Sequence, residues 1–152
     1  MVLDTVRKIL QALWKHQVRY ALVGGIALNL HGISRNTLDI DLLIPEDPDN
    51  LDRLKQALDY VFQDPSIQEI SASDLASYAV IRYGTPSDFY IDIILRLGEM
   101  FSFENVETEQ VLIEGCPVSL ATPDALIRMK SGTMRPQDAA DAVCLREKYK
   151  LP

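Results

Sequence analysis

The chain has 152 residues, of which 47% are hydrophobic, and carries 15 Lys and Arg against 22 Asp and Glu, for a formal net charge of −7. This length and composition argue against wholesale disorder and fit a single domain over residues 1–152 with a substantial core. The acidic balance argues against a protein that holds nucleic acid mainly through backbone charge, although it allows a local basic patch.

The N-terminus and the cysteines favour a cytoplasmic location. The first residues show no basic segment ahead of an apolar one, so no signal peptide is predicted. The longest apolar runs are far below the ~20 residues of a membrane-spanning helix, so we expect no membrane contact. Cys116 and Cys144 are too few for a disulfide framework or a Cys-based zinc site, and we expect both to be buried free thiols.

Caps, glycines and prolines bound the predicted elements of the first third of the chain. Asp4 or Thr5 can cap a first helix, whose apolar positions recur at helical spacing. A strand is predicted over 18–23, ending at Gly24 and Gly25, and a short helix over 26–30, ending near Gly32. A second strand is predicted over 38–44, and the next helix begins at Asp47 and Pro48.

The rest of the chain contains two predicted hairpins. Their strands cover 78–83 and 89–95, then 111–114 and 118–120. Helices begin at Thr122-Pro123 and at Arg135-Pro136, and the last one is expected to turn inward Ala139, Ala140, Val143 and Cys144. Because hairpins give antiparallel pairs, the pattern favours an α+β domain with a small mixed or antiparallel sheet over a doubly wound parallel sheet.

Two acids share one face of the second predicted strand. Side chains alternate along a strand, so Asp39 and Asp41 point to the same side, roughly 6.5–7 Å apart, and Ile40 points to the opposite, buried side. Two neighbouring carboxylates repel each other unless a cation lies between them, and Mg²⁺ or Mn²⁺ suits carboxylate oxygens. The alternative is an ordinary polar face on an edge strand.

A third acid, Asp92, lies in the apolar strand over 89–95. Its burial is unfavourable unless it is paired or metal-bound. If this strand pairs with 38–44, three carboxylates meet and can hold two metal ions about 4 Å apart, as in phosphoryl chemistry. The alternative is an ion pair with Arg82 or Arg96 across the hairpin.

The pair Gly24-Gly25 indicates an anion site. A strand that ends in two glycines and leads into a helix offers unblocked backbone N–H groups to a triphosphate. A surface turn is the alternative for an isolated Gly-Gly pair. The order of strand, Gly-Gly, helix, Asp-x-Asp strand and later strand Asp favours the anion site.

Together these motifs resemble a known group of enzymes. Gly24-Gly25, with Asp39-Ile40-Asp41 beginning fourteen residues after Gly25 and Ile91-Asp92-Ile93 later, resembles the DNA polymerase β-type nucleotidyltransferase superfamily. The form Arg35-x-Thr37-x-Asp39-Ile40-Asp41-Leu42 resembles its bacterial and archaeal branch related to abortive-infection and toxin–antitoxin nucleotidyltransferases. The resemblance implies the nucleotidyltransferase fold and transfer of a nucleoside monophosphate from a nucleoside triphosphate to an acceptor, with release of pyrophosphate.

The resemblance also implies roles for individual residues. Asp39 and Asp41 would ligate two Mg²⁺ ions, or Mn²⁺ in their place. Asp92 would ligate the catalytic ion and help orient or deprotonate the acceptor. Lys130 matches a lysine near the phosphates, although a lysine in the last turn of a helix is favoured in any case. Ile26 departs from the pattern, because many relatives carry Ser or Thr there, and only backbone donors remain.

The acceptor stays open in the sequence, as do the roles of four polar residues. An RNA end, a protein hydroxyl or a small cationic molecule would each fit. Basic residues concentrated towards the C-terminus keep a tRNA end among the candidates: Arg128, Lys130, Arg135, Arg146, Lys148 and Lys150. Arg35 could steady the acids, touch phosphate or pair with an Asp. The resemblance matches Asp138 or Asp141 to a further polar residue next to the phosphate site, and the role of His31 is open. The default for Asp138 is a solvated face or pairing with the N-terminal helix dipole.

The alternative function is a catalytically weak nucleotidyltransferase-like antitoxin or regulatory subunit. It would bind a second, more basic chain through an acidic surface, in keeping with the net charge of −7. The short C-terminal part also favours a surface completed by a partner chain. The presence of Asp39, Asp41 and Asp92 argues against complete loss of activity.

Overall fold

A computed structural model describes residues 2–35, 37, 39–131 and 136–151. Its helices are α1 (Val2–Lys15), α2 (Gly24–Leu30), α3 (Pro48–Phe62), α4 (Ala72–Tyr78), α5 (Pro123–Lys130) and α6 (Pro136–Tyr149), with 3-10 turns over Pro65–Glu69 and Phe103–Asn105. Its strands are β1 (Ala21–Val23), β2 (Asp39–Leu43), β3 (Val80–Gly84), β4 (Tyr90–Ile94), β5 (Arg96–Leu97), β6 (Phe101–Ser102), β7 (Thr108–Ile113) and β8 (Cys116–Ala121).

The described strands form a mixed sheet. Six of them are ordered β3-β4-β2-β1-β8-β7, and β5 and β6 form a separate two-stranded sheet. Strand β2 is parallel to β4 and β1 is parallel to β8, whereas the pairs β1–β2, β3–β4 and β7–β8 are antiparallel. Helices pack against this sheet, so the predicted α+β class with a mixed sheet is confirmed.

The central strands hold the core. Strand β1 is fully buried, and the buried residues of β2 and β4 include Ile40, Leu42, Ile91 and Ile93. Each such aliphatic side chain contributes about 1.5–3 kcal/mol on burial, more than an exposed ion pair does. Because side chains alternate, this apolar face leaves the intervening residues of β2 and β4 on the other face of the sheet.

Capping signals correctly locate two helices. The Asp47 carboxylate accepts a hydrogen bond from the Asp49 N–H at the start of α3, and Thr122 does the same for Ala125 in α5. Helix α1 begins earlier than predicted, at Val2, so that Asp4 lies inside its first turn. No described helix is long and apolar enough to cross a membrane.

Two predicted strands begin too early. The strand expected over 18–23 starts only at Ala21, because the Asn50 side chain bonds both the N–H and the carbonyl of Arg19. The strand expected over 78–83 starts at Val80, because the unpredicted helix α4, which Ser71 caps, continues to Tyr78. Position 38, predicted in β2, lies outside the described residues, as does Arg135 before α6.

Helix α6 faces the opposite way from the prediction. The residues expected inside, Ala139, Ala140, Val143 and Cys144, are exposed. The helix instead buries Asp138, Asp141, Ala142 and Leu145. The reason is electrostatic, because both acids pair with Lys130, which lies on α5. Consequently Cys144 is an exposed thiol, whereas Cys116 is buried as predicted.

Candidate active site

The register of β2 and β4 brings three carboxylates together. Asp41 and Asp92 are direct partners across this parallel pair, and Asp39 lies two residues before Asp41 on the same face. All three side chains are half-buried. The sequence alone predicted the shared face of the two β2 acids, and the strand pairing adds the third.

Gly24 lies directly against this cluster. Its φ is +74°, and a Cβ atom at this position would lie 1.8 Å from Oδ2 of Asp41. Only glycine satisfies both the left-handed backbone and this close approach. Gly25 is also tightly packed, because its Cβ would lie 3.1 Å from the Thr37 side chain.

Helix α2 includes both glycines, which corrects the predicted helix over 26–30. Val23 occupies the cap position and makes no side-chain hydrogen bond to the first turn. The first backbone N–H groups of α2 therefore receive no side-chain cap from Val23, and the two glycines add no side chain of their own over them.

Arg82 binds two of the three acids. Its Nε and Nη2 donate to the two oxygens of Asp92 at 2.9 and 3.0 Å, and Nη2 also lies 3.3 Å from Oδ2 of Asp39. The guanidinium carbon lies 4.8 Å from the centre of the Tyr90 ring. The ion pair across the hairpin, weighed above as the alternative for Asp92, is thus present, and its extension to Asp39 was not predicted.

Asp41 has a strongly perturbed acidity. Burial, followed by the charge of Asp92 and the charge of Asp39, raises the pKa of Asp41 to about 7, and Arg82 offsets only part of this. The Asp92 carboxylate in turn raises the pKa of Arg82, which keeps the guanidinium charged. The cluster therefore carries more negative charge than its one arginine neutralises.

A cleft of about 630 Å³ opens beside Gly24 and Asp41. Lys130 and Asp138 also line it. Apolar side chains from the β5–β6 hairpin and from α5 complete the wall: Leu97, Met100, Phe101, Leu126 and Met129. A cavity of about 680 Å³ lies elsewhere, between α1 and the β7–β8 turn, and none of the three clustered acids lines it.

Lys130 is the centre of a buried ion network beside this cleft. Its Nζ lies 3.2 Å from Oδ1 of Asp138 and 3.0 Å from Oδ2 of Asp141. Asp141 also pairs with Arg35 and accepts a hydrogen bond from Gln137. Burial alone would raise the pKa of Asp141, but these donors together hold it below its ordinary value.

Of the open polar residues, three belong to this network and one does not. Arg35 makes the ion pair with an Asp that was one of its alternatives. The solvated face expected as one default for Asp138 is wrong, whereas its place in the first turn of α6 agrees with the other default, pairing with the helix dipole. His31 is buried away from the acids, where its ring nitrogens contact the Tyr149 hydroxyl and the Ala121 carbonyl, each at 2.9 Å. It therefore joins α6 to the end of β8.

The acids fit a divalent cation by their chemistry. Within the described ranges, no three His, Cys, Asp or Glu side chains are arranged as they stand to hold a metal ion. The cation that Asp39 and Asp92 contact is the Arg82 guanidinium. Three carboxylates on one sheet face nevertheless offer the oxygen ligands that hard cations prefer. The single guanidinium leaves part of their negative charge unneutralised, which favours a further cation.

A solved structure with a similar fold supports this architecture. The chain is similar over its length to the crystal structure of an antigenic nucleotidyltransferase-like protein from Paracoccidioides brasiliensis, with a TM-score of 0.58, 18% identity, and coverage of 95% of this chain and 75% of that one. It also matches a solution structure of the antibiotic-resistance factor ANT(2'')-Ia with a TM-score of 0.49, 16% identity and coverage of 97% and 90%. No curated protein sequence matches significantly.

A family model decides the classification. Residues 7–131 match the family described as nucleotidyl transferase AbiEii toxin, type IV toxin–antitoxin system. This match covers most of the chain and confirms the resemblance to toxin–antitoxin nucleotidyltransferases. The chain therefore belongs to the AbiEii nucleotidyltransferase toxin family.

Proposed function

We propose that the chain transfers a nucleoside monophosphate from a nucleoside triphosphate to an acceptor, with divalent metal and with release of pyrophosphate. The observation that carries the proposal is the register of Asp41 with Asp92, beside Asp39 and against Gly24. It places an oxygen ligand set next to the start of a helix, and Gly24 and Asp41 reach the lining of one cleft.

The proposed metal ligands are Asp39, Asp41 and Asp92. They would hold two Mg²⁺ ions, with Mn²⁺ as a substitute. When bound, these ions neutralise triphosphate charge and stabilise the attacking and leaving oxygens of the transfer. The protein residues supply charge and position. Burial and the neighbouring carboxylates raise the pKa of Asp41, and a cation held among these acids would offset their mutual repulsion.

The triphosphate would lie on the first turn of α2. Gly24 and Gly25 offer only backbone N–H donors there, because Ile26 supplies no hydroxyl. Lys130 lines the same cleft, and its ion pairs with Asp138 and Asp141 hold the ammonium group in place. Because two acids already share its charge, Lys130 would act on a phosphate as a positioned hydrogen-bond donor, which needs no reorganisation during the reaction.

The transfer itself requires mainly positioning. The acceptor oxygen bonds to the α-phosphorus as the bond from that phosphorus to the β-phosphate bridging oxygen breaks, and pyrophosphate leaves. Asp92 is the proposed group that orients the acceptor hydroxyl and takes its proton. Such in-line transfer relies on proximity and charge stabilisation rather than on covalent catalysis by the protein.

An RNA end is the first acceptor to test. Arg128 and Lys148 are exposed basic residues on α5 and α6, the helices whose ion network borders the cleft. They offer positive charge to a nucleic-acid backbone on the helices beside the cleft, although the chain as a whole is acidic. Protein hydroxyls and small cationic molecules are the other acceptors in the screen.

Labelled transfer tests the proposal. Incubation with acceptor mixtures should label the acceptor from a triphosphate labelled on the α-phosphate and not from one labelled on the γ-phosphate. The Asp39→Asn/Asp41→Asn variant should show no transfer. The control Asp52→Asn/Asp59→Asn removes two exposed acids from α3 and should behave as wild type. Transfer of the γ-label, or equal transfer by both variants, would contradict the proposal.

A further inference from the structure

Arg82 lies where it can act on the acidic cluster from the neighbouring strand. It is the direct partner of Asp92 in the antiparallel β3–β4 pair, so both side chains project from the same face. The guanidinium takes both Asp92 oxygens and reaches one oxygen of Asp39. A carboxylate engaged on both oxygens in this way keeps only its outer lone pairs for a second cation, so a cation that binds both oxygens from the same side must displace the guanidinium.

The contact is strong in geometry and accessible to solvent. The Arg82 side chain is 53% exposed, whereas the Asp92 side chain is 14% exposed. Solvent screens an ion pair with so exposed a partner, so the bond can open at little free-energy cost. The guanidinium can withdraw into solvent without breaking any packing of the core.

Arg82 also neutralises the cluster incompletely. Three carboxylates face a single guanidinium, and Arg82 makes no hydrogen bond to Asp41 among the described contacts. A divalent ion brings twice the charge of an arginine to the same oxygens. The ion and the guanidinium thus compete for Asp92, and the ion has the larger charge.

We propose that Arg82 is a displaceable internal counter-ion, which holds Asp92 and Asp39 until a divalent metal ion takes their oxygens. The inference rests on the proposed function, because it assumes that these acids bind metal. It assigns Arg82 to setting the metal affinity of the site. Removal of its side chain should strengthen metal binding, whereas an arginine that only helped to build the site would weaken binding when removed.

A direct measurement of Mn²⁺ affinity distinguishes a displaceable counter-ion from an arginine that only helps to build the site. Free Mn²⁺ is measured by electron paramagnetic resonance in wild type, Arg82→Gln and the control Arg7→Gln. Arg7 is also a partly exposed arginine bound to two acids, Asp4 and Glu114. We expect Arg82→Gln to bind Mn²⁺ about three- to fivefold more tightly, which is near the upper limit for a screened ion pair, and Arg7→Gln to stay within about twofold of wild type. Equal or weaker binding by Arg82→Gln overturns the inference.

Two further variants locate the effect. In an Asp92→Asn background, Arg82→Gln should tighten Mn²⁺ binding much less, because the competing contact is already lost. The Asp39→Asn/Asp41→Asn variant should lose Mn²⁺ binding. If this variant loses Mn²⁺ binding while wild type and Arg82→Gln bind Mn²⁺ equally, the role of Arg82 is overturned and the proposed metal-dependent function is not. Absence of Mn²⁺ binding in both wild type and Arg82→Gln overturns the metal-dependent function as well.

Discussion

Gly24 and Asp41 are fitted to each other so closely that a single methyl group on Gly24 would lie 1.8 Å from an Asp41 oxygen. The backbone of the first turn of α2 therefore lies in contact with the carboxylate that is central to the acidic cluster. This contact joins the two halves of the proposed site, the phosphate cradle and the metal ligands.

Gly24→Ala tests this contact. We expect a loss of about 1–2 kcal/mol from the left-handed φ alone, and a further loss from the clash with Asp41. Urea unfolding measures the stability, and calorimetry measures nucleotide binding. Gly115→Ala is the matched control, because Gly115 has φ +81° but nothing within 4 Å of its Cβ position. If Gly24→Ala lowers the free energy of unfolding no more than Gly115→Ala does, the close contact between Gly24 and Asp41 is contradicted.

Asp41→Asn should stabilise the metal-free protein in a pH-dependent manner. The folded-state pKa of about 7 lies above the ordinary 3.8, so ionisation of Asp41 opposes folding progressively between pH 4 and pH 7. Stability of wild type in EDTA should fall over this range, and at pH 8 the variant should gain up to about 4 kcal/mol. Urea unfolding at several pH values checks this. A gain that does not change with pH would contradict the assigned acidity.

Asp39→Ala should abolish transfer without unfolding the protein. Removal of one proposed ligand is expected to reduce kcat/KM by at least about 10²–10³-fold, as for other groups that stabilise transition-state charge. Relief of carboxylate repulsion should keep the melting temperature at or above that of wild type in EDTA. The labelled-transfer assay and thermal unfolding give the two readouts. Turnover near that of wild type would contradict the role of Asp39 as a metal ligand in the transfer.

Asp141→Asn should destabilise the protein most at neutral pH. Lys130 and Arg35 would lose the charge of a partner that is 3% exposed, at a cost of about 3 kcal/mol. The pKa of Asp141 is lowered, so its stabilisation is present above the ordinary pKa and is lost as pH falls through the folded-state value. Urea unfolding at pH 7 and pH 3 measures this. The exposed Asp124→Asn variant on α5 is the control, and an equal loss in both would contradict the network.

Local signals in the sequence predicted much of the fold. Asp47 and Thr122 each cap the helix that follows, because a capping side chain bonds N–H groups only two or three residues away. Strand alternation likewise predicted that Asp39 and Asp41 share a face. The functional roles of these acids stay a prediction.

Long-range interactions account for what the sequence did not reveal. The orientation of α6 depends on Lys130 and Arg35, which draw Asp138 and Asp141 inward against the apolar pattern. The bond from Arg82 to Asp39 spans two strands that are not neighbours in the sheet, so a hairpin pattern could not indicate it. The short strands β5 and β6, only two residues each, carry no periodicity.

The most direct test is calorimetric titration of each nucleoside triphosphate with Mg²⁺ into wild type and into Asp39→Asn/Asp41→Asn. We expect Mg²⁺-dependent binding of at least one triphosphate to wild type, and its loss in the variant. Binding that persists in the variant would contradict the assignment of these acids as metal ligands. Absence of binding to wild type would contradict an independent donor site and favour a catalytically weak, partner-binding chain.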